Sequence, residues 1–84
     1  MDIKGQVKAY ILEDIMMGAD PSELSDSASF LDSGILDSTG VVELISFLEK
    51  TFGIKVRDEE MIPENLDTLF NVERFVGGKL KVQV

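Results

Sequence analysis

An all-α fold, a small helical bundle of three main helices and one short one, is predicted by three observations. Apolar residues recur at three- and four-residue intervals in three separate segments, the spacing of one helix face. Apolar-polar alternation is confined to the last six residues, which have no evident partner strand. At 84 residues, the chain is sized for one domain with one small core.

The first helix carries a stripe of Ile3, Val7, Tyr10, Ile11 and Ile15, with Lys4, Lys8, Glu13 and Asp14 off it, and fades near Met17-Gly18. A long connection from Ala19 to Leu36 follows, rich in Ser, Asp and Gly. That length points to a packed or functional loop. Phe30, Leu31, Ile35 and Leu36 are expected to pin it to the core, with a tight turn at Ser33-Gly34.

The second helix, from about Ser38 to Thr51, places Val41, Leu44, Ile45, Leu48 and Phe52 on one face and closes at Phe52-Gly53. Phe47 flanks that stripe and should be partly buried. Ile54-Lys55-Val56 continues in extended form. Asp58 to Leu66 reads as one short, irregular helical region interrupted at Pro63. Asp67 or Thr68 caps the last helix, which turns Leu69, Val72, Phe75 and Val76 inward and is expected to stop at Gly77-Gly78. Residues 1–77 are thus expected to be the folded domain and 78–84 a disordered tail.

Composition removes several functions. The chain has no cysteine and no histidine, so it lacks a thiol nucleophile, zinc–thiolate chemistry and the commonest general base. A self-contained catalyst is not expected. Sixteen acidic against eight basic residues give a formal charge of −8, unfavourable for nucleic acid or anionic membrane and favourable for basic protein surfaces. No apolar run reaches the roughly 18 residues of a membrane span, and there is no signal-peptide pattern, so a cytoplasmic monomer is expected. Asp58-Glu59-Glu60 points its carboxylates in different directions and matches no Ca²⁺ loop, so it reads as a solvated helix start and not a metal site. Glu64 and Asp67 read as solvated in the same way.

Asp37-Ser38-Thr39 is the segment that carries chemistry. Asp37 stands at the N-cap and Ser38 at the first helical position, beside free backbone N–H groups and the positive end of the helix dipole. Such a place suits a serine carrying a phosphate ester. Alone, the tripeptide is ordinary capping chemistry; its neighbours decide its meaning. Thr39, Val42, Glu43 and Ser46 lie around Ser38 on a face rotated from the core stripe and are candidates for partner contact. Met61 and Ile62 either extend that surface or fill core.

The run Phe30-Leu31…Ser33-Gly34-Ile35…Asp37-Ser38-Thr39, continued by Val42-Glu43-Leu44-Ile45…Leu48-Glu49…Phe52-Gly53-Ile54, resembles an acyl or peptidyl carrier protein. The likeness extends through Pro63-Glu64-Asn65-Leu66-Asp67-Thr68 to Val72…Phe75-Val76 and so covers nearly the whole chain. It implies that a separate Mg²⁺-dependent phosphopantetheinyl transferase attaches phosphopantetheine from coenzyme A to Ser38, within the Asp37-Ser38 motif. The thiol of that arm then holds cargo as a thioester. Thr39 stands where Leu or Met is commoner, and Gly40 where an acidic residue often stands. The docking surface is therefore less acidic than usual, which tilts the reading toward a specialised pathway.

A hydroxyl without a base is a weak nucleophile, so Ser38 is expected to be a substrate of chemistry done elsewhere. The resemblance implies an acyl carrier serving fatty-acid, polyketide or specialised enzymes. Alternatives are an aminoacyl or peptidyl carrier loaded by an adenylating enzyme, and an unmodified non-covalent interaction module.

Overall fold

In the computed structural model, residues 2–82 are described. They form four α-helices: α1 (Ile3–Tyr10), α2 (Ser38–Phe52), α3 (Pro63–Leu66) and α4 (Leu69–Val82). No strand occurs among the described residues. Helices α1, α2 and α3 each pack on α4. The core between them contains Val7, Ile11, Leu44, Leu48, Leu69, Val72 and Val76, all essentially inaccessible.

Asp2 caps α1 by accepting a hydrogen bond from Gly5 N–H at 3.0 Å. Beyond Tyr10 the helix widens into a π-helical turn, Ile11–Ile15, which keeps Ile11 and Leu12 in the core. The chain then leaves the helix through Met17 (φ 58°) and Gly18 (φ 89°), the stop expected from the sequence. Tyr10 stacks on Phe47 of α2 with ring centroids 4.1 Å apart, so Phe47 is partly buried as expected.

The long connection is packed. A 3₁₀ turn, Pro21–Glu23, is closed by a reciprocal capping box between Asp20 and Glu23. Leu24, Phe30 and Leu36 are buried anchors and Ile35 is half-buried. Leu24 was not among the anchors expected. Leu31 departs from expectation in the other direction, being 47% exposed. Gly34 (φ 76°) turns the chain between Ser33 and Ile35, and its N–H donates to Leu31 O.

Helix α2 ends on Gly53 in the left-handed region (φ 68°), whose N–H donates to Glu49 O. Ile54 and Val56 then turn onto the core from extended backbone, and Glu49 Oε2 accepts from Val56 N–H at 3.0 Å. The next segment is a 3₁₀ turn, Asp58–Glu60, followed by α3 with Pro63 at its first position. Thr68 caps the last helix: its Oγ1 accepts from Asn71 N–H at 3.0 Å.

That last helix corrects the expectation at its far end. Instead of stopping at Gly77-Gly78, α4 runs to Val82; residues 83–84 of the expected tail lie outside the described residues. Two glycines cost a helix about 1 kcal/mol each relative to alanine. Long-range contacts offset this. Leu80 packs against the core, and Lys79 Nζ meets Glu60 Oε1 at 2.5 Å while lying 5.6 Å from the Phe75 ring centroid. Lys79 and Lys81 also place positive charge at the negative end of the helix dipole.

Candidate functional site

The site is assembled where the packed loop meets α2. Asp37, in extended backbone, turns its carboxylate back to accept from Gly40 N–H at 2.8 Å. Ser38 follows as the first helical residue, with its side chain in solvent. Helix geometry leaves the Ser38 and Thr39 N–H groups without intrahelical acceptors. The first turn of α2 holds no acidic residue, so the capping Asp37 is the carboxylate that shares the positive helix end with an anion at Ser38. Gly40 also has a steric role: a Cβ there would lie 3.0 Å from Leu36 Cδ2 and crowd the anchor that precedes the cap.

Ser38 borders an open, mostly apolar groove of about 270 Å³. Phe30, Leu31 and Leu36 form its loop side; Val41 and Val42 belong to α2; Met61, Ile62 and Leu66 face them from the α3 region. Four of its apolar residues are exposed: Leu31 at 47%, Val42 at 59%, Met61 at 39% and Ile62 at 42%. Met61 and Ile62 therefore belong to the surface beside Ser38 and not to the core. Thr39, Glu43 and Ser46 are exposed on α2, as the helical spacing anticipated. Glu43 lies toward α1, where its charge, after burial and together with Asp14, pushes the Tyr10 hydroxyl pKa up. The groove side of Ser38 is thus mostly apolar, with Asp67 its one charged lining residue among the described residues, and Glu43 lies on the α1 side.

Two readings of acidic residues are corrected by this geometry. Glu60 is not merely solvated: it accepts from Arg57 N–H at 2.9 Å and pairs with Lys79. Lys79 first, then Arg57, hold its carboxyl below the ordinary range. Asp67 is likewise engaged. Its Oδ2 accepts from Ser29 Oγ at 2.5 Å, its Oδ1 from Leu31 N–H at 3.0 Å, and its backbone carbonyl from Phe30 N–H at 2.8 Å. From sequence Asp67 reads only as a possible cap or a solvated charge, because partners 36 to 38 residues away leave no local signature. Glu64 is exposed, as expected, although its carbonyl accepts from Arg74. No cluster of His, Cys, Asp or Glu among the described residues has metal-binding geometry.

Ser38 is thus a solvent-facing serine at a helix start beside an apolar groove, the placement that the carrier resemblance leads one to expect of an attachment serine. Comparison with known proteins agrees. A family profile described as a phosphopantetheine attachment site matches residues 6–76. The chain is 35% identical over 81 residues to an acyl carrier protein of Bdellovibrio bacteriovorus, covering 96% of this chain and 99% of that one. It is also 35% identical over 79 residues to an acyl carrier protein of Thermosynechococcus vestitus, with 94% and 93% covered. Among solved structures, the holo acyl carrier protein of Nitrosomonas europaea superposes with a TM-score of 0.76 at 32% identity, covering 96% of this chain and 99% of that one. A chain from a structure described as an FAD-dependent dehydrogenase superposes with a TM-score of 0.74 at 26% identity, covering 83% and 97%. The chain belongs to the acyl carrier protein family, whose prosthetic group is covalently attached phosphopantetheine.

Proposed function

We propose that this protein is an acyl carrier whose Ser38 is esterified by phosphopantetheine and whose arm presents thioester-bound acyl groups to successive enzymes. The observation that carries the reading is the exposed Ser38 hydroxyl at the first position of α2, opening onto an apolar groove. Bound phosphopantetheine supplies the terminal thiol that holds the cargo. Around it the chain binds and orients. The helix N-terminus favours the phosphodiester by about 0.3–1 kcal/mol, which fixes the root of the arm without immobilising its tip. Apolar cargo folds back against Leu31, Val42, Met61 and Ile62. The chain itself acts as a carrier and not as a catalyst.

The partners are a phosphopantetheinyl transferase and the acyl-loading and acyl-processing enzymes. Thr39, Val42, Glu43, Ser46, Met61 and Ile62 form the surface they meet. Only Glu43 among these is charged, so basic partner side chains find one carboxylate there and the remaining contact is apolar or neutral. A cytoplasmic fatty-acid, polyketide or specialised acyl pathway is the setting this reading favours.

Loading tests the cargo class. The holo protein is offered fatty-acyl and malonyl donors with their transferases, and amino acids with adenylating enzymes, and intact mass is read. Acyl gain alone supports the proposal. Aminoacyl gain alone transfers the function to the aminoacyl carriers.

A further inference from the structure

We propose that Asp67 is a positioning residue that fixes both walls of the groove, and so sets how well an apolar thioester on Ser38 is shielded from water. The inference rests on the reading of Ser38 as the attachment site and concerns how that site holds its cargo.

Asp67 stands at the corner between α3 and α4. Its N–H donates to Pro63 O at 3.0 Å and closes α3, which fixes the wall bearing Met61, Ile62 and Leu66. Its carbonyl and carboxylate oxygens take Phe30 N–H, Leu31 N–H and Ser29 Oγ, which fixes the opposite wall. Ser29 extends the hold: its Oγ accepts from Asp32 N–H at 3.1 Å and its carbonyl accepts from Ser33 Oγ at 2.6 Å. Leu36 N–H then donates to Phe30 O at 3.1 Å, so the pinned segment closes on the residue just before the Asp37-Ser38 pair. One residue, through its backbone and its carboxylate together, thus ties the two walls of the groove to the approach to Ser38.

Asp67 is the only charged residue lining the groove, and both its oxygens are occupied by the loop. The walls themselves are apolar, and among the described residues the hydrogen bonds that Ser29, Phe30 and Leu31 make to the α3–α4 corner all end on Asp67. Without the carboxylate, the Leu31 amide and the Ser29 hydroxyl lose their acceptor. Leu31 is then free to lift from the groove, while Phe30 stays anchored by its buried ring and the Asp67 carbonyl. A chain long enough to lie in the groove would then lose its cover, whereas a two-carbon cargo, which does not fill the groove, would not.

Wild type, Asp67→Ala, Asp67→Asn and Ser29→Ala are converted to holo protein, loaded with acetyl or octanoyl groups, and exposed to hydroxylamine. Hydroxylamine nitrogen attacks the thioester carbonyl, the C–S bond breaks and the arm's thiol is released, read as loss of the acyl mass. The expected result is several-fold faster loss of octanoyl in Asp67→Ala, with acetyl loss unchanged. Asp67→Asn, whose Oδ1 still accepts from Leu31 N–H, should restore most of the protection. Equal acceleration of both cargoes, or of neither, overturns the proposal. If Asp67→Ala fails to fold by circular dichroism, Ser29→Ala carries the comparison, and absence of any chain-length dependence there overturns it. Failure of the wild type to gain the arm at Ser38 instead removes the attachment reading itself, and the proposal with it.

Discussion

The Leu31 amide donates to the Asp67 carboxylate at 3.0 Å across 36 residues of sequence. This bond joins the loop to the corner of two helices. It explains how a segment rich in Ser, Asp and Gly holds its shape beside Ser38. Removing the carboxylate loses this exposed bond and the part-buried one from Ser29 Oγ, each worth about 0.5–1.5 kcal/mol net. Asp67→Ala is therefore expected to lower the urea midpoint by an amount equal to about 2 kcal/mol, and Asp67→Asn by clearly less. Equal loss in the two variants would show that charge, not hydrogen bonding, is what matters there.

Asp37 caps α2 through Gly40 N–H. Asp37→Ala should cost about 1 kcal/mol of stability, while Asp37→Asn, which keeps an accepting oxygen, should cost only a few tenths. Chemical denaturation of the apo protein measures both. If the transferase rate on Asp37→Asn falls although stability is retained, the carboxylate charge itself contributes to recognition.

Much of α2 is legible in the sequence because its determinants are local. Asp37 caps within one turn, the apolar stripe repeats at helical intervals, and Gly53 supplies the left-handed stop. The exposed face carrying Ser38, Thr39, Val42, Glu43 and Ser46 follows from the same periodicity. Features decided across the fold are not legible in this way. Gly77-Gly78 reads as a helix end, yet α4 continues because Lys79 reaches Glu60 and Leu80 finds the core. Leu31 reads as a core anchor, yet its amide is what holds the loop while its side chain lines the groove. Asp67 and Thr68 both read as possible caps; Thr68 takes that role, and the Asp67 carboxylate is taken by the loop.

The Lys79–Glu60 pair gives the end of α4 a pH dependence. With its pKa lowered by Lys79 and by Arg57 N–H, Glu60 binds its proton less readily in the folded state than in the unfolded chain. Its contribution is therefore present above the ordinary glutamate value of about 4.3 and lost as pH falls through the lowered pKa. Carbon chemical shifts of Lys79 to Lys81 should move toward non-helical values below about pH 4. In Glu60→Gln, those shifts should already be less helical at neutral pH and change little on acidification. Identical titrations in the two proteins would dismiss the pair as the support for this turn.

Docking should depend more on shape than on charge. Val42 is 59% exposed beside Ser38, whereas Glu43 is the one carboxylate of the proposed contact face. Val42→Ser is expected to raise the transferase KM more than Glu43→Gln does. The KM of the wild type should rise only modestly between low and physiological salt, since exposed charges are screened within about 8 Å. A steep salt dependence abolished by Glu43→Gln would reverse that ranking.

Whether Ser38 bears the arm is the claim on which the carrier reading depends, and intact mass tests it most directly. The purified protein and Ser38→Ala are incubated with a broad-specificity phosphopantetheinyl transferase, Mg²⁺ and coenzyme A. Gain of one phosphopantetheine by the wild type, located by peptide fragmentation on Ser38 and absent from Ser38→Ala, is the predicted result. Gain at another residue, or no gain in a folded wild type while a control carrier is modified by the same enzyme, would contradict it.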